Sequence, residues 1–150
     1  MTRFFSILLF AALAGCAVTP TPPPALDVAP GQARIVVIRN TDVMFMGAAA
    51  RVTLNGKRVA ELWRGENYVG VVEPGKIMFD VDAWGAPGHF FTGFSAEPDM
   101  EYLFEISPSS EHFSQSAPLA AVPFGLGVLG LPGIEVGPFV IAQKGSKRLR

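Results

Sequence analysis

The chain has a single cysteine, Cys16, among 150 residues. No disulfide can close within it, and no Cys-rich zinc spacing is present. Its two histidines, His89 and His112, are far apart in sequence. A metal site would have to be assembled from distant pieces, so no metal and no cofactor is expected. Charge is also scarce: Asp, Glu, Lys and Arg make up 17% of the residues, and 12 basic against 13 acidic side chains leave a formal charge of −1. That balance excludes the basic surface nucleic-acid binders use, so no nucleic-acid partner is expected. The apolar stretch 119–133 carries no charged residue, but Pro123, Pro132 and four glycines break it, so it does not form the roughly 20-residue helix that crosses a bilayer. Nucleophile and phosphate motifs are missing as well. There is no G-x-S-x-G, and Gly125, Gly127 and Gly130 lack the Lys-Ser/Thr that completes a phosphate loop. No catalytic residue is assigned.

What the chain does have begins at its first residue. Arg3 precedes an apolar run from Phe4 to Ala12, and Leu13-Ala14-Gly15-Cys16 follows. This is a basic n-region, a short h-region and a small-residue cleavage zone. Leu13, Ala14, Gly15 and Cys16 resemble the lipobox of bacterial lipoproteins. The resemblance implies cleavage before Cys16 and a diacylglycerol on its thiol. It also implies a further acyl chain on the new amino group, which makes anchoring stable. Ala17, not Asp, follows the cysteine, which by the same resemblance implies sorting to the outer membrane. Residues 1–15 are therefore read as signal peptide. Residues 16–31, with Pro20, Pro22, Pro23 and Pro24, read as an extended spacer that holds the domain off the bilayer. The domain then occupies 32–150, one domain by length.

Within the domain, 16 glycines and 13 prolines across the chain argue for many short elements. Apolar residues recur with a period of two. Strands are expected at 34–39, 51–54, 58–62, 67–72, 76–83, 89–95, 101–106 and 137–142. Asn55-Gly56 marks a type I′ hairpin. Ile77, Phe79 and Val81 should face the core with Asp80 and Asp82 opposite, and Tyr102, Phe104 and Ile106 should face inward. Residues 44–50 have no clear period. The fold expected is all-β, an antiparallel β-sandwich of seven or eight short strands. Lys144, Lys147, Arg148 and Arg150 read as a solvated basic tail with a weak pull toward anionic headgroups.

Val52-Thr53-Leu54-Asn55-Gly56-Lys57-Arg58-Val59-Ala60-Glu61-Leu62, then Tyr68-Val69, Glu73-Pro74-Gly75-Lys76 and Tyr102, follow a strand ending in Arg39. This order resembles domain-of-unknown-function family 2846 of bacterial lipoproteins. The hairpin with Pro-Gly is also similar to the PEGA domain, a small β-module of surface proteins. The resemblance covers roughly residues 32–107. It implies a β-sandwich and membrane association, and no activity.

Three groups are candidates for function. Trp84, His89 and Phe90 flank a Gly-Pro corner, either as a ligand platform or as a plug over an open end of the sandwich. Phe124, Leu126 and Leu129, in the apolar segment 117–134, are candidate contacts to a partner or bilayer. Asp80, Asp82, Glu101 and Glu105 could cluster for acid–base or cation chemistry if their strands pair. The reading that follows is a non-catalytic, lipid-anchored binding or assembly module of the cell envelope. It would face the periplasm and hold an envelope protein partner. A lipid or glycan carrier is the runner-up, and a hydrolase on the acidic faces comes last. Sequence leaves the oligomeric state open.

Overall fold

The computed structural model of the chain describes residues 19–110 and 137–149. Eight strands form there: β1 (Ala33–Arg39), β2 (Ala50–Leu54), β3 (Lys57–Leu62), β4 (Asn67–Val72), β5 (Gly75–Ala83), β6 (Phe90–Ala96), β7 (Met100–Pro108) and β8 (Phe139–Arg148). They make two four-stranded sheets, ordered β4-β1-β7-β8 and β3-β2-β5-β6, packed face to face as a β-sandwich. No helix occurs among the described residues. Every ladder is antiparallel except β1–β7, which is parallel. The parallel pair arises because the chain leaves its first sheet after β1, builds β2 and β3 in the other, returns for β4, crosses again for β5 and β6, and only then places β7 on the free side of β1.

Alternation sets the core. Ala33, Ile35 and Val37 of β1, Ile77, Phe79 and Val81 of β5, and Tyr102, Phe104 and Ile106 of β7 are all buried. The centre is aromatic. Phe79 and Phe104 lie 4.7 Å apart by ring centroid, and Phe94 sits 4.9 Å from both Phe104 and Tyr102 in tilted contact, the geometry that the ring quadrupoles favour. Asn55 and Gly56 have φ of 48° and 80°, so the two-residue turn is of the expected I′ kind. The unperiodic stretch 44–50 falls largely in a run of turns and bends over 43–48 that leads into β2.

Register defines two ends. At the first lie the β1–β2 loop, the β3–β4 turn, the β5–β6 loop and the start of β8, because Ala50 pairs with both Leu62 and Ala83, Ile38 with Asn67, Arg39 with Ile106, and Pro108 with Phe139. The Asn55-Gly56 turn, Pro74, Asp99 and the end of β8 lie at the second.

Two expectations change. The spacer does not stand away from the domain. The Thr21 amide donates to the Gly65 carbonyl (3.0 Å), Asn67 Nδ2 donates to the Thr21 carbonyl (2.6 Å), and Arg34 Nη2 donates to the Pro24 carbonyl (2.8 Å). Prolines offer no donor, but the carbonyls of such a chain still need partners, and the β4 side of the sandwich supplies them. Nor are Lys144, Lys147 and Arg148 a tail. They belong to β8, an edge strand longer than alternation suggested. Lys144 Nζ lies 3.3 Å from Glu105 and Lys147 Nζ 3.0 Å from Glu101. Polar, Lys-bearing residues suit an edge because they block further strand pairing.

Candidate functional site

The outer face of the β3-β2-β5-β6 sheet carries the densest group of polar side chains near the first end. Asp80 and Asp82 point outward from β5, as alternation requires. Their neighbours across the ladders are Thr53 and Arg51 of β2, and Phe91 of β6 lies opposite Asp80. Arg51 grips Asp82 with two donors, Nε to Oδ1 at 2.5 Å and Nη2 to Oδ2 at 2.9 Å. A third bond runs from Nη2 to the Ala83 carbonyl at 3.2 Å. The planar guanidinium fits this two-oxygen contact and fixes the end of β5 against β2.

His89 sits just before β6. Its Nδ1 lies 2.9 Å from Asp80 Oδ1 and 3.8 Å from Asp82 Oδ2. Its ring stacks on Phe91 at 5.7 Å with planes 10° apart, and Phe91 is 65% exposed. Imidazole and phenyl thus form a parallel-stacked, solvent-facing pair with a carboxylate at the imidazole edge. Such a pair can stack on a planar or sugar face and accept a hydrogen bond there. Trp84, in the turn after β5, is 79% exposed.

Of the residues singled out from sequence, Trp84, His89 and Phe90 all come to this β5–β6 corner, but with different parts. Phe90 is half-buried and packs on the core. Trp84 and the His89 ring face outward. Leu13, Ala14, Gly15 and Cys16, and likewise Phe124, Leu126 and Leu129, lie outside the described residues.

The acidic residues do not gather. β5 and β7 belong to different sheets, so Asp80 and Asp82 face outward on one side of the sandwich and Glu101 and Glu105 on the other. All four have basic partners. Arg34 reaches Glu101 at 3.2 Å beside Lys147, and Lys144 reaches Glu105. The arrangement expected of a two-carboxylate hydrolase needs both acids on one site, and the topology separates them. Among the described residues no group of three His, Cys, Asp or Glu side chains is arranged to hold a metal ion.

Arg39 was missed by sequence reasoning. It follows Ala33, Ile35 and Val37 on the inward face and is 2% exposed. Its guanidinium donates to the carbonyls of Phe45 (2.8 Å), Leu62 (2.9 Å) and Ala48, and it lies 4.5 Å above the Phe139 ring. Burial lowers its pKa from the ordinary arginine value; Glu66 works against that shift and Arg64 adds to it. The cation closes the first end of the core and pins the loop between β1 and β2. The only signal in sequence was its place in the inward alternation.

A cleft of 460 Å³ opens along the seam between the β3 and β4 edges. Leu54, Val59, Tyr68, Val72 and Ile77 line it, with Lys57, Glu73 and Lys76 at its rim. The docked spacer covers the neighbouring part of the same seam.

No family model and no curated protein matches the chain.

Proposed function

We propose that the chain is a bacterial envelope lipoprotein. Diacylglycerol on Cys16 tethers it, with the outer membrane as destination, and its sandwich is a non-catalytic binding or assembly module facing the periplasm. One observation carries this reading: a leader of the right order and length ends in Leu13-Ala14-Gly15-Cys16, directly before a Pro-rich spacer and a folded domain. The rest is consistent with it. The core is filled by rings, the outward acids are joined to bases, and the exposed His89–Phe91 surface offers an envelope protein a contact of the aromatic kind that dominates interfaces. Growth with labelled palmitate tests the anchor. The wild-type chain should take up label and sediment with membranes. Cys16→Ser should lose the label and leave the membrane fraction, whereas equal label in both would overturn the assignment.

The seam cleft favours a second reading, a carrier of a lipid chain. Protein purified from the envelope would then carry extractable lipid in a fixed ratio, and Val59→Trp, which fills the cleft, would abolish it. Extracts free of lipid beyond the anchor itself would remove this reading.

A further inference from the structure

The two ends of the sandwich differ in chemistry. Five of the large apolar side chains that stand exposed, Val43, Met44, Met46, Trp63 and Trp84, lie on the three loops of the first end. Val43 is 68% exposed, Met46 62% and Trp63 50%. The second end is more densely charged, with Lys57, Glu73, Lys76, Asp99 and Lys147 among its side chains, while the first-end loops carry Asp42, Arg64 and Glu66 beside their apolar residues. Solvent alone gives no reason for apolar side chains to gather at one end.

The described chain begins near that same end and is interrupted there. Thr21 is bonded to Gly65 in the β3–β4 turn, only five residues after Cys16. Five residues span at most about 18 Å even when fully extended. The sandwich is longer than this, since β5 has nine residues and each adds about 3.3 Å. The apolar 119–133 stretch also belongs to a segment that leaves after Ser110 and returns at Gly137, beside Phe139, at the first end.

We propose that the first end is a membrane-contact surface. Val43, Met44, Met46, Trp63 and Trp84 enter the interface of the bilayer that holds the anchor, with Arg64 at headgroup level. Tryptophan favours this layer because its ring is apolar and its N–H can remain hydrated. The anchor supplies proximity, and the loops supply orientation. The sandwich thus stands on the membrane by its apolar end, and its charged end faces the periplasm. The His89–Phe91 surface lies at the side, near the bilayer but free of it. This inference rests on the anchor at Cys16.

The chain has two tryptophans, and both are at the proposed contact, so its own fluorescence reports on it. The full-length protein, purified with its anchor, is reconstituted into vesicles of phosphatidylethanolamine and phosphatidylglycerol, with and without bromine on the upper acyl carbons. The emission maximum should shift to shorter wavelength, and brominated lipid should quench it about twofold or more, as expected for rings seated at the acyl boundary. Trp63→Phe and Trp84→Phe should each leave a quenched reporter. A tryptophan placed by Lys76→Trp in the double Phe variant should stay unquenched. The mass of the N-terminal peptide is read on the same sample. An unacylated Cys16 removes the anchor reading and this inference with it. An acylated Cys16 with tryptophans that iodide reaches and bromine does not leaves the anchor standing and overturns the orientation. Tryptophans shielded from both quenchers would show the end covered by the chain itself, which also overturns it.

Discussion

Arg39 is held by carbonyls and a ring, and the Glu66 carboxylate acts on it without bonding to it among the described contacts. A guanidinium suits this position because it stays charged and its several donors can serve separate acceptors at once. In Arg39→Leu those carbonyls lose charge-assisted bonds in a dry environment, and we expect a loss of about 3 kcal/mol in urea unfolding. Arg39→Lys should recover only part of it, because one ammonium cannot reach all three acceptors. Tyr68 is a second residue-scale case. Burial pushes its phenol pKa up from the ordinary value, so the folded state keeps its proton longer than the unfolded chain does. The stability tied to the neutral phenol is whole below about pH 10 and is lost as pH rises through the folded-state value. The urea midpoint should therefore fall in that alkaline range, and Tyr68→Phe should reduce the fall.

Among the elements, the β2–β3 hairpin is fastened as well as folded by its turn. Asn55 Oδ1 accepts from the Met78 amide (2.8 Å), and the Asn55 amide donates to the Met78 carbonyl (2.9 Å). The turn residues thus tie the hairpin to β5. Gly56→Ala, at φ 80°, should cost about 1 kcal/mol from backbone strain alone. At the other end of the same strand pair, Asp82→Asn loosens the Arg51 grip and should cost about 1 kcal/mol, with a smaller effect in high salt. Phe104 bridges the sheets through Phe79 and Phe94, and Phe104→Ala should cost about 3–5 kcal/mol by leaving a cavity. Thermal or urea unfolding of each variant checks these values. The strands themselves were legible, because alternation and turn residues mark a half-buried ribbon directly. The length of β8 was not, since Gln143-Lys144-Gly145-Ser146-Lys147-Arg148 has no apolar face and is held as a strand by pairing with β7.

For the whole molecule, topology decides what meets what. Alternation placed Asp80, Asp82, Glu101 and Glu105 on outward faces, but not which faces. Only the division of β5 and β7 between sheets puts the two pairs on opposite sides of the sandwich. The candidate site was partly legible in the same sense. Trp84, His89 and Phe90 were chosen as an aromatic corner. The Asp80 carboxylate and the Phe91 ring that complete the His89 surface come from ladder register. Removing that surface with His89→Ala and Phe91→Ser should leave folding within about 0.5 kcal/mol, as expected of exposed positions, while weakening any envelope partner it holds. Crosslinking in intact cells, with the unfolding midpoint as control, separates the two effects.

By itself the sequence determined the all-β class with seven or eight short strands, the type I′ turn, and the inward set Ile77-Phe79-Val81 and Tyr102-Phe104-Ile106. Each is a local property, set by side-chain period or by backbone freedom at one or two residues. The tertiary structure alone decided the parallel β1–β7 pair, the burial of Arg39, the docking of Thr21 and Pro24 on the domain, the separation of the acids and the gathering of apolar loops at one end. These depend on which strands become neighbours. That choice follows from how the whole set of apolar faces can be buried at once, and no single segment encodes it.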